Sequence, residues 1–137
     1  MKKASKKDYL FFTEAWILLH LTKACIIILP FKKLASSLGR SQKETDFSST
    51  EDTVALDITH AVRRAARFTI HASKCYDQAL TGKLMLKYRK VSSTIYFGLA
   101  KDQDSGLSAH AWLRAGSIIV TGKPAMPKFT PVAWFGS

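Results

Sequence analysis

The spacing of apolar residues changes from helical to alternating near residue 92, and few folds accommodate that change. Before it, Val54, Ile58, Ala61, Val62, Ala65 and Phe68 recur at helical intervals, with Arg63, Arg64 and Arg67 mostly off that stripe. After it, Ile95, Phe97 and Leu99 alternate with Thr94, Tyr96 and Gly98, the pattern of a half-buried strand. In the next strand Leu107, Ala109, Ala111 and Leu113 face one way, and Ser108, His110, Trp112 and Arg114 the other. Lys101 to Gly106 reads as the loop between them. Ala115-Gly116 turns the chain into Ser117–Val120, and Val132–Phe135 offers a last strand. Helices followed by an antiparallel meander define an α+β fold. At 137 residues the chain has room for one compact core with a helical extension. With 47% hydrophobic and 11% aromatic residues it buries a real core.

Residues 1–50 read as a basic and apolar helical extension with a linker, and residues 51–137 as the core. A loose basic tail over 1–8 precedes a helix from about Tyr9 to Leu29, which Pro30 ends. A shorter helix from Phe31 to Leu38 stops at Gly39, and the polar stretch 40–50 lacks aliphatic residues. Ser48 and Glu51 have capping-box spacing ahead of the second long helix. A further helix runs to about Tyr88, with Ser73 as N-cap and a ridge of Tyr76, Leu80, Leu84 and Tyr88 for burial. Gly82 inside it costs about 1 kcal/mol against alanine and marks a close approach by another element.

The segment Ala15–Phe31 is apolar but carries His20 and Lys23. A span needs about 20 apolar residues, and a central lysine costs roughly 2.5–3.5 kcal/mol on insertion, so a buried or partner-facing helix is favoured over membrane contact. Its apolar surface exceeds one packing stripe, which suggests docking onto a partner protein. The net charge of +11 points to anionic partners or a solvated basic face. Neither the aromatic and basic pattern of a nucleic-acid sheet nor finger spacing is present, so nucleic acid is not expected. Two cysteines, Cys25 and Cys75, are too few for a disulfide framework, and no secretory cleavage pattern follows the apolar stretch. A reducing cytoplasm is the expected compartment.

A thiol nucleophile reacts as the thiolate, which a helix N-terminus favours and an imidazole partner generates. Cys75 in the first turn of its helix has the former, and His110 on an internal strand can supply the latter. The plainer reading is a small buried cysteine and a hydrogen-bonded spectator histidine. Cys25 reads as packing, and His20, His60 and His71 lack the spacing of a metal site. Neither a metal nor a cofactor is called for, and no glycine-rich phosphate loop exists.

The run Ser73-Lys74-Cys75-Tyr76-Asp77-Gln78-Ala79-Leu80, then Gly98, then Leu107-Ser108-Ala109-His110-Ala111-Trp112-Leu113, resembles the lasso peptide biosynthesis B2 family. Ile119-Val120-Thr121-Gly122, the stretch Phe129 to Phe135, and Leu29-Pro30-Phe31-Lys32-Lys33 extend the resemblance over nearly the whole chain. It implies a leader peptidase with a transglutaminase-like, papain-type core. A B1-type recognition protein binds the leader of a ribosomal precursor, the peptidase removes it, and an ATP-dependent macrolactam synthetase closes the ring. On that analogy Cys75 attacks the leader–core junction and His110 moves the protons, with Gln78 and Thr121 as auxiliary candidates.

The family's third residue is an aspartate about a dozen positions beyond the histidine. Here that span is Thr121-Gly122-Lys123, and no Asp or Glu follows Asp104. A backbone carbonyl or Thr121 must orient the histidine, or the third role is dispensable. The alternatives to a peptidase are an acyl transferase, whose thioester an amine captures, and a non-catalytic peptide-binding subunit.

Overall fold

The structure is a computed structural model that describes residues 5–46, 52–70, 74–102, 104, 106–123 and 126–137. The chain runs α1 (Lys6–Ile28), α2 (Phe31–Ser36), β1 (Arg40–Ser41), α3 (Asp52–Ala66), α4 (Cys75–Tyr88), β2 (Thr94–Asp102), β3 (Gly106–Ala115), β4 (Ile118–Thr121) and β5 (Thr130–Gly136). A short 3₁₀ turn, Met126–Lys128, precedes β5. The α+β reading holds, with the helices on one layer and an antiparallel sheet on the other.

Strands β2, β3 and β4 form the meander, but β5 returns to the far side of β2, and β1 pairs with β5, giving the order β1-β5-β2-β3-β4. The stretch read as a linker thus contributes an edge strand, and its Thr45 is buried beside Thr94, whose Oγ1 accepts from Thr45 N–H at 2.9 Å. The β2–β3 hairpin is longer than the loop composition suggests, because pairing continues to Asp102 opposite Gly106.

Helix α1 begins at Lys6, inside the stretch read as a loose tail. Ser5 caps it, accepting from Asp8 N–H, while the Asp8 carboxylate accepts from Ser5 N–H at 2.9 Å. It packs on α3 and α4 through Ala15, Leu19 and Thr22. Thr22 and Thr81 share a buried hydroxyl contact at 3.1 Å, and Glu14 holds Arg89 in a two-pronged ion pair. The expected cap at Ser48 lies outside the described residues, and the N-cap of α4 is Lys74, one residue after the expected Ser73.

Helix α4 is central. Ala79, Leu80, Thr81, Gly82, Met85 and Leu86 are buried between the other helices and the sheet. The expected ridge is only partly right. Tyr88 is 81% exposed, because the last turn extends past the core and its neighbour Arg89 turns back to α1. Gly82 is where α4 meets β3. A Cβ there would lie 2.7 Å from Leu113 Cδ2, so glycine permits the contact.

Candidate active site

The start of α4 sets the chemistry of Cys75. Lys74 takes the N-cap position with extended backbone, and its N–H donates to Asp77 Oδ1 at 2.7 Å. The first helical bond runs from Gln78 N–H to Lys74 O. Cys75 is therefore the first helical residue, among backbone N–H groups that have no partner within the helix. Such a terminus favours negative charge on a thiol. Both cysteines are free and half-buried, and Cys75 packs at the margin of the core.

Beside it, the Tyr76 ring meets Phe97 edge-on at 5.4 Å and Phe31 at 6.5 Å. Burial raises the Tyr76 hydroxyl above its ordinary pKa. Gln78 is half-buried one turn on, and its side chain makes no hydrogen bond among the described residues.

His110 is fixed from three directions. Its ring stacks on Phe129 at 5.0 Å and on Trp112 at 5.8 Å, and Nε2 lies 2.8 Å from the carbonyl oxygen of Gly122. A carbonyl only accepts, so Nε2 carries the proton, and a neutral ring then keeps its lone pair on Nδ1. Two glycines make room. Gly98 pairs with His110 across the sheet, and a Cβ there would fall 2.7 Å from the Trp112 ring and 2.9 Å from Phe129. Gly122 has φ +81°, and a Cβ would sit 3.0 Å from His110 Nε2 and 2.7 Å from Ala111 O. The carbonyl occupies the place in sequence where the resemblance calls for a carboxylate. The signal for it was the glycine itself, a residue suited to close backbone approach.

The structure does not bond the two site residues to each other. No hydrogen bond joins Cys75 to His110 among the described residues. Strand alternation places His110 on the face of Trp112 and Arg114, whereas Leu113, which meets α4 at Gly82, lies on the other face. Thr121 does not orient the ring. Its Oγ1 is buried without a hydrogen-bond partner among the described residues, and its methyl lies 3.6 Å from the Cβ position of Gly82.

The remaining histidines have other settings. His20 accepts from Ile70 N–H at Nε2 and donates from Nδ1 to Trp16 O, which ties α1 to the chain after α3. His60 is exposed on α3, and His71 lies outside the described residues. Among the described residues no three His, Cys, Asp or Glu side chains gather as metal ligands do.

Helices packed on one layer against an antiparallel sheet, with α4 opening on cysteine, form the architecture for which the family comparison gives a class. Residues 18–133 match the transglutaminase-like superfamily, and the chain belongs to it. The superfamily includes cysteine peptidases and transferases. No curated protein and no solved structure matches the chain.

Proposed function

We propose that the protein is a cysteine peptidase that removes the leader from a lasso peptide precursor, with Cys75 as nucleophile and His110 as base. The observation that carries the reading is the anchored His110 ring, protonated at Nε2 and open at Nδ1, in a superfamily member whose α4 begins with cysteine. In the proposed cycle Nδ1 takes the thiol proton, and the sulfur attacks the carbonyl at the leader–core junction. The N–H groups opening α4 face the developing oxyanion. The imidazolium returns its proton to the departing amine, leaving a thioester. Water, deprotonated by the same nitrogen, then releases the acid and the thiol. His110 lies on the β3 face away from Leu113 and α4, so the proposed cycle requires β3 or the start of α4 to rearrange on substrate binding before Nδ1 reaches the thiol. Leader delivery falls to a separate B1-type protein, ring closure to an ATP-dependent macrolactam synthetase, and the cytoplasm is the proposed site of action.

The test is mass spectrometry of a precursor peptide incubated with its recognition protein and this chain. Cys75→Ala should abolish leader loss while the melting temperature stays near wild type. Cleavage at the wild-type rate by the alanine variant would sink the reading. Product mass separates hydrolysis from capture by an amine, the transferase alternative. The absence of a Cys75–His110 bond favours a second reading, a non-catalytic peptide-binding subunit. That reading predicts peptide binding without any turnover in wild type.

A further inference from the structure

Helix α1 has one side in the fold and the other side in solvent. Ala15, Leu19 and Thr22 are buried against α3 and α4. Leu10, Ile17, Leu21, Ala24 and Ile28 are exposed, at spacings of seven, four, three and four, which align on one helical face. Ile27 and Ile28, at 72% and 76% exposure, continue into exposed Leu29 and Phe31. By length and composition α1 could cross a membrane. Its buried side rules that out for the folded chain, because leaving the fold would strip the core of Ala15 and Leu19.

The charges show what fits this face. Exposed Lys6 stands at one end, where Lys7 is paired with Asp57 of α3 at 3.0 Å, and exposed Lys32 and Lys33 stand at the other. The acids of α1 are engaged, Asp8 in the N-terminal cap and Glu14 with Arg89. A second copy is a poor occupant. Two α1 helices face to face set lysines against lysines at both ends, whether parallel or antiparallel. A protein partner would need an aliphatic face with acidic groups spaced one helix apart. A bilayer with anionic headgroups supplies both, an apolar layer beneath a negative surface. We infer that α1 lies flat on an anionic membrane surface, its Leu10–Ile28 face among the acyl chains and its terminal lysines among the headgroups. The protein is then a peripheral one, resting on the bilayer without spanning it. Phe31, which opens α2 just past the C-terminal end of α1, has its ring 6.5 Å from that of Tyr76 beside Cys75, so docking brings the start of α4 near the lipid surface.

Flotation of the full chain with vesicles tests this directly. Phosphatidylcholine vesicles containing phosphatidylglycerol should carry the protein, and pure phosphatidylcholine vesicles should carry at least tenfold less. The double variant Leu21→Asp/Ile28→Asp and the double variant Lys32→Glu/Lys33→Glu should each lose at least tenfold in binding, with unchanged melting temperatures. Leu56→Asp, which adds a negative charge at an exposed site on α3, should bind as wild type. No binding to anionic vesicles overturns the inference. So does binding that survives Leu21→Asp/Ile28→Asp, which would reduce it to attraction by the net charge. A dimer in light scattering that the same variant dissolves would assign the face to a second copy, and that too overturns it.

Discussion

His110 shows how much a single ring can be settled before substrate arrives. The Gly122 carbonyl fixes its tautomer, and Phe129 and Trp112 fix its plane. An uncharged orienter holds the ring as well as a carboxylate but gives less support to the imidazolium that forms in the cycle. In the proposed enzyme, His110→Ala should lower turnover by the roughly 10²–10⁴-fold typical of losing a general base, with peptide affinity kept. His60→Ala, exposed on α3, should remain near wild type. Gly122→Ala should also lower turnover, because its Cβ meets both the ring and Ala111 O at a left-handed backbone. Single-turnover rates on a leader-bearing peptide check all three. Equal behaviour of the two histidine variants would contradict the assignment. Residue type made Cys75 and His110 candidates in the sequence, and the family resemblance singled them out. The sequence left the orienter open between a carbonyl, Thr121 and none at all, with Gly122 as the one hint of a close backbone approach.

At the level of elements, α4 was legible through its start and its glycine, and less so through its buried face. Lys83 is the clearest case. It stands in the core at 1% exposure, where amphipathic spacing gives no reason to place an ammonium group, and its Nζ donates to Ser93 O at 2.6 Å. Ser93 also exchanges backbone hydrogen bonds with Ser137, so this lysine braces α4 against the start of β2 and the end of the sheet. Burial, and to a lesser degree Lys87, lowers its pKa to about 8 from 10.5. Between those two values the unfolded chain holds the proton and the folded chain does not, so stability from this group rises as pH climbs from about 8 towards 10.5. Below pH 8 both forms are protonated and the cost of burying the charge stays constant. Urea melts across pH 7–10 should show wild type gaining on Lys83→Met as pH rises. A constant or shrinking difference would show that the amine stays charged inside the fold. The β2–β3 alternation was read correctly, yet both faces proved partly buried. Arg114, on the face opposite Leu113, donates to Tyr96, Thr45, Asp46 and Gly116 and straps the segment before α3 across the sheet. Long-range ties of that kind leave no periodic trace.

Taken whole, the molecule places a cysteine at a helix start, a preset histidine on a strand and a basic, apolar helix at its margin. The match to the transglutaminase-like superfamily spans residues 18–133 and so takes in residues 18–28, the later part of α1. The order of helices and strands was readable because their periods differ. The return of β5 to β2 was not, since alternation says nothing about which neighbour a strand chooses. The central claim is that Cys75 is an activated thiol, and it can be tested without knowing the substrate. Cys25 supplies an internal control, being equally free and also half-buried in a helix. Limited labelling with iodoacetamide at neutral pH, followed by peptide mass spectrometry, reports the rate at each thiol. The account predicts that Cys75, at the start of α4, is alkylated at least tenfold faster than Cys25. Equal, slow labelling of the two cysteines in the wild-type protein would contradict it.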